Sequence, residues 1–90
     1  MIGRQVFYEG RVQGVGFRYT ARQIAKGYDV VGWVKNLSDG RVELQVSGEA
    51  DDVRAFLDAI GESELASLIR NAEEHTIPPL TGASGFSIAF

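Results

Sequence analysis

Ninety residues, 44% of them hydrophobic and 23% charged, suffice for one thin-cored domain spanning 1–90 and leave no reason to expect disorder. The chain has no cysteine and a single histidine, which excludes disulfides and thiolate chemistry and leaves too few strong ligands for an ordinary zinc centre. A net charge of -3 argues against a large nucleic-acid footprint, yet Arg4, Arg11, Arg18, Arg22, Lys26 and Lys35 outnumber Glu9 and Asp29 over 1–36, which suits a small anion.

The opening MIGRQVFYEGRV has neither an apolar core segment nor a cleavage-site pattern, and no apolar run is long enough for a bilayer. The expectation is a cytoplasmic protein with no membrane partner. Residues 4–9 read as a strand, with Val6 and Tyr8 on one face and Phe7 and Glu9 on the other. Three glycines in GRVQGVG then break regular structure. From Phe17 the period changes: Phe17, Ala21, Ile24, Ala25 and Tyr28 make a helical stripe, and Gly27 is placed to end it in a left-handed conformation.

Residues 30–35 read as a strand, and Asp39-Gly40 as a hairpin turn. Over 41–47, Val42, Leu44 and Val46 alternate with Arg41, Glu43 and Gln45, the mark of a strand with one face in water. A second helix follows on Val53, Phe56, Leu57 and Ile60, with Asp51 and Asp52 in its first turn and Gly61 at its end. Leu65, Leu68, Ile69 and Ala72 fit a further helical stripe. After Pro78-Pro79 and GASG the chain closes on an alternating strand, with Phe86, Ile88 and Phe90 on one face.

The informative segment is Gly10-Arg11-Val12-Gln13-Gly14-Val15-Gly16-Phe17-Arg18. It joins a strand to a helix, its glycines let successive N–H groups converge, and the helix start adds unpaired donors. Arg18, just inside that helix, offers a planar fork to two phosphate oxygens. The spacing matches neither a dinucleotide fingerprint nor a Walker loop. On these residues alone, an anion cradle and a plain strand-to-helix turn both remain open.

GRVQGVGFR, with GWVKN at 32–36 and DGRVELQVSG at 39–48, resembles the acylphosphatase family, in register from about Phe7 to Ile60. The resemblance implies a ferredoxin-like split βαβ sandwich, an α+β fold in which an antiparallel sheet carries two helices on one face. It turns 66–76 into a fourth strand, against the local helical stripe. It implies metal-independent hydrolysis of small acyl phosphates with no cofactor, by a monomer. Arg18 and Asn36 are the implied catalytic residues, and the backbone N–H groups of Gln13, Gly14, Val15, Gly16, Phe17 and Arg18 would wrap the phosphate.

The chemistry is consistent with so small a site. The leaving carboxylate is weakly basic, so placing water in line and stabilising the phosphoryl oxygens are the main tasks. Arg18 and the loop amides suit the second, and the Asn36 amide suits the first. Asn36 read alone is a turn residue. His75, beside Glu73 and Glu74, reads as a surface histidine, Trp33 as sheet packing, and Asp51 and Asp52 as helix-start acids. Two alternatives stand: a phosphate- or carbamoyl-phosphate-handling domain like that at the front of hydrogenase-maturation proteins, and a non-catalytic RNA-binding module on the open sheet.

Overall fold

The computed structural model describes residues 1–90. Strand β1 (Ile2–Gly10) buries Val6 and Tyr8, the face its alternation marks. Helix α1 (Phe17–Ala25) buries Phe17, Ala21 and Ala25, with Ile24 and Tyr28 packed against the same core. Gly27 is not left-handed. The helix closes instead through short bonds, from Lys26 N–H to Gln23 at 3.3 Å and from Gly27 N–H to Ile24 at 3.0 Å. Tightening of the last turn satisfies those carbonyls without a glycine cap.

Strands β2 (Val30–Asn36) and β3 (Val42–Gly48) form the hairpin, and helix α2 (Ala50–Gly61) buries Val53, Phe56, Leu57 and Ile60. A three-residue 3-10 turn at Ala66–Leu68 then leads into strand β4 (Ile69–Ile77), and β5 (Phe86–Ala89) ends the sheet. The fourth strand is therefore present where the helical stripe competed with it. Leu65 is buried and Leu68 packs on the core from the short turn, while residues from Arg70 to Thr76 are exposed. An edge strand held by its ladder to β1 needs no apolar alternation, so its sequence carries little strand signal.

The sheet order is β4-β1-β3-β2-β5. Each helical crossover skips one strand: β1 to β2 passes β3, and β3 to β4 passes β1, the split βαβ pattern. The first four strands pair antiparallel, and β5 adds a parallel pair, from Gly32 opposite Phe86 to Lys35 opposite Ala89. The sheet is thus mixed at one edge. Because β4 runs opposite to β2, it ends where β2 begins, and a chain crossing there must run alongside β2 in the same direction. The buried Ser47 hydroxyl accepts the Leu80 N–H of that crossing at 2.8 Å.

Both helices lie on one face, touching each other and the sheet. Between them and the sheet, Phe17, Phe56, Leu44, Ile60 and Leu65 fill the centre of the core. Phe56 packs against the entry to β2 and against β5, with its ring 6.2 Å from Tyr28 and 5.3 Å from Phe86.

Candidate active site

The loop between β1 and α1 hangs between two buried anchors. Val12 is 1% exposed and Phe17 is 2% exposed, the latter with its ring 5.0 Å from that of Tyr8. Between them Gln13, Gly14, Val15 and Gly16 are all exposed. Gly14 and Gly16 have φ of 74° and 78°, a left-handed backbone that would cost any residue bearing a Cβ about 1–2 kcal/mol. Gly16 also caps α1 and provides no side chain to occupy its first N–H groups.

Those N–H groups are consequently free. Gln13, Gly14, Val15 and Gly16 donate to no backbone carbonyl, and the first intrahelical bond runs from Thr20 N–H to Gly16 C=O at 2.9 Å. The N–H groups of Phe17, Arg18 and Tyr19 precede that bond and lack an intrahelical acceptor. A run of unpaired donors at a helix start is favourable for an anion.

A second contact holds the loop beside β2. Gln13 Nε2 donates to the carbonyl oxygens of Leu37 at 2.8 Å and Arg41 at 2.9 Å, both in the β2–β3 turn. That turn is capped by Asp39, whose carboxylate accepts the Arg41 N–H at 3.0 Å and Arg41 Nε at 2.8 Å. These two hydrogen bonds, the backbone one foremost, hold the Asp39 carboxyl below the usual carboxylate range. Asn36, the last residue of β2, is half-buried, and its side chain takes part in none of these bonds.

One cavity of about 180 Å³ gathers Val12, Gly14, Gly16, Phe17, Arg18, Tyr19, Asn36, Ile88 and Phe90. Arg18 and Asn36 thus meet, with Gly14, Gly16 and Phe17 of the loop. Gln13 and Val15 do not line it; Gln13 is turned to the hairpin. No acidic residue, histidine or second cation lines this space. Arg4, Arg41, Arg54 and Arg70 all have carboxylate partners, but Arg18 has none. Its guanidinium is available to a ligand.

The other candidates lie apart. His75 stands exposed on β4, bonded to Glu73 at 2.8 Å and edge-on to Phe7. Trp33 is half-buried within β2, paired between Gln45 and Ser87, and Asp51 and Asp52 start α2. Two contributions lie beyond what the motifs imply: the Gln13 side chain, which braces the loop whose backbone the motif singles out, and Phe90, which leaves the final strand so that its ring centroid stands 5.2 Å from the Arg18 guanidinium.

Residues 4–88 match the family model described as Acylphosphatase. The chain belongs to the acylphosphatase family. An acylphosphatase from Bacillus licheniformis is 33% identical over 90 residues, the whole of both chains. The crystal structure of acylphosphatase from Bacillus subtilis is similar with a TM-score of 0.90 and 34% identity, again over the whole of both chains. HypF of T. kodakarensis is similar at a TM-score of 0.85 and 31% identity, over all of this chain but 12% of that one. An acylphosphatase of this fold is an enzyme, a hydrolase acting on acyl phosphates.

Proposed function

We propose that the cavity at the start of α1 performs this hydrolysis with Arg18 and Asn36 as its catalytic side chains. The observation that carries the proposal is the meeting, in one small space, of an unpaired guanidinium, acceptor-free loop amides and an unpartnered side-chain amide. Arg18 and the N–H groups of Gln13 to Arg18 hold the phosphoryl oxygens and stabilise the charge that gathers on them as the bond to the acyl oxygen breaks.

Asn36 holds a water on the side opposite the leaving group. The water oxygen forms the new bond to phosphorus, the bond to the acyl oxygen breaks, and the electron pair leaves on the carboxylate. An amide is too weak a base to take the water's proton, and no side-chain carboxylate or imidazole lines the cavity. The proton passes to the phosphoryl group or to solvent. The carboxylate departs as a stable anion, so no acid need protonate it.

Phosphate release from acetyl phosphate, measured with EDTA present, tests the assignment. The wild-type protein is expected to turn over and to be inhibited competitively by inorganic phosphate. Arg18→Ala is expected to lose about 100-fold or more in kcat/KM, the scale of losing a charged transition-state donor. Full activity in Arg18→Ala would remove the residue from the mechanism.

A further inference from the structure

The register of β4 leaves a gap on the helix side of the sheet. Val6 and Tyr8 face the core, and their partners across the ladder are Glu74 and Ala72. Partners directly opposite share a face, so the inward positions of β4 carry a carboxylate and a methyl group where large apolar side chains would reach α2. On the other side, α2 ends at Gly61 and the short turn offers only Ala66. A cavity of about 330 Å³ results, floored by Val6, Tyr8 and Leu57. It shares no lining residue with the cavity that holds Arg18 and Asn36. The fold does not demand this opening: Gly61 has no left-handed backbone, and a Cβ there would meet no atom within 4 Å.

The charged groups at the rim are already paired. Arg54 Nη2 donates to Glu74 Oε1 at 3.1 Å and Nη1 to Oε2 at 3.3 Å, while Arg4 Nε stands 3.3 Å from Oε2. Arg54 Nε lies 3.3 Å from Asp58. Neither rim residue is left to answer a charged ligand. The Tyr8 hydroxyl differs. Tyr8 is 4% exposed, and its hydroxyl enters no hydrogen bond within the protein. The charges it feels are those of Glu74 and Arg54, which line this cavity, so it is aimed into the same space. A buried hydroxyl without a partner is destabilising, and an acceptor placed against it relieves that penalty.

We infer that the groove between α2 and β4 is a second ligand site, built for a small uncharged molecule whose ring-sized apolar body carries one oxygen that accepts the Tyr8 hydroxyl hydrogen. Size supports the class. An apolar cavity of about 150 Å³ holds one benzene ring. The larger space here admits a ring with a short substituent. The aliphatic floor takes the ring, and the paired rim excludes an ion.

Acetophenone is the probe, since it has such a ring and one carbonyl; toluene is the control, a ring without the acceptor. Titrated into isotope-labelled protein, acetophenone is expected to give saturable amide shifts centred on Leu57, Gly61, Ala66 and Ala72. Tyr8→Phe keeps the ring and drops the hydroxyl. It is expected to weaken acetophenone binding about threefold to tenfold, the worth of one neutral hydrogen bond, and to leave toluene binding unchanged. Ala72→Leu, at an exposed position, fills the groove and is expected to abolish binding of both while the protein stays folded. Arg18→Ala is expected to bind the probe as the wild type does, so the result does not depend on the hydrolytic assignment.

Shifts that never saturate, as for a groove that holds water alone, overturn the inference. So do shifts centred on the cavity of Arg18 and Asn36. Acetophenone affinity unchanged in Tyr8→Phe, or binding that survives Ala72→Leu, overturns it as well.

Discussion

The Gln13 side chain donates its amide hydrogen to the carbonyl oxygen of Leu37, 2.8 Å away, and so ties the loop before α1 to the residue after Asn36. The second bond, to Arg41, spans the same turn. The two halves of the site come from opposite ends of a helical crossover, and this side chain joins them directly. Gln13 thereby acts through position: its side chain fixes the loop's place beside β2.

Gln13→Ala removes both bonds from an exposed setting, where water can replace them, so stability is expected to fall by no more than about 1–2 kcal/mol. Activity should suffer more, because misplacing a preorganised donor costs transition-state stabilisation. The expected result is a drop in kcat of about tenfold or more, with thermal melting little changed. Gln13→Glu is expected to be worse: its carboxylate cannot donate to the two carbonyls and brings negative charge to an anion loop. Wild-type kcat in both variants would show that the brace is dispensable.

Much of this architecture is legible in the chain, for identifiable reasons. Glycines at 14 and 16 stand where the backbone is left-handed, and the stripes from Phe17 and from Val53 become the buried faces of the two helices. The β4 strand is not legible from periodicity, because an edge strand exposed on both faces has no apolar alternation to display. Gly27 shows the reverse error, a glycine in the right place whose special conformation the helix does not use. At the site, Arg18 and Asn36 stand out through motifs. The brace by Gln13 and the turn of Phe90 toward Arg18 depend on tertiary contacts between distant segments, which local spacing cannot encode.

Arg18→Lys keeps the positive charge and discards the planar fork. If Arg18 grips two phosphoryl oxygens, a single ammonium cannot replace it. The expected outcome is a fall of about 100-fold in kcat/KM with a weaker inhibition constant for inorganic phosphate, read in the same assay. Near-full activity would mean that charge alone is required at this position.

Tyr8 gives a prediction about alkaline stability. Burial foremost, with the nearby charge of Glu74 added, pushes its hydroxyl above the ordinary phenol range. Below about pH 10, the ordinary phenol value, folded and unfolded chains both hold the proton and this group adds no pH dependence. Above it the unfolded chain releases the proton while the folded chain retains it, so stability falls as pH rises through that window. Of the three tyrosines, one is expected to ionise only as native circular dichroism is lost. Tyr8→Phe should remove that step from the ultraviolet titration and move alkaline unfolding to higher pH. Reversible ionisation of all three tyrosines in the native state would contradict this.

Asn36 allows the sharpest separation of holding water from shaping a turn. Its position before a hairpin suits a turn residue, and aspartate serves that role as well as asparagine. Yet the turn is capped by Asp39, whose carboxylate already takes the Arg41 N–H, while the Asn36 side chain stands in the cavity with Arg18. A turn role therefore has no vacancy for Asn36. Replacing it with alanine should leave the inhibition constant for inorganic phosphate nearly unchanged, because phosphate fills the cradle with or without a positioned water. The rate constant should fall by about 100-fold or more, since the lost contact belongs to the transition state. Asn36→Asp keeps the shape and adds a negative charge beside a phosphoryl group that is itself anionic, so it should be nearly as inactive as Asn36→Ala while melting close to the wild type. A folded Asn36→Asp protein with full kcat would defeat the water-holding role and leave Arg18 and the loop amides as the catalytic apparatus.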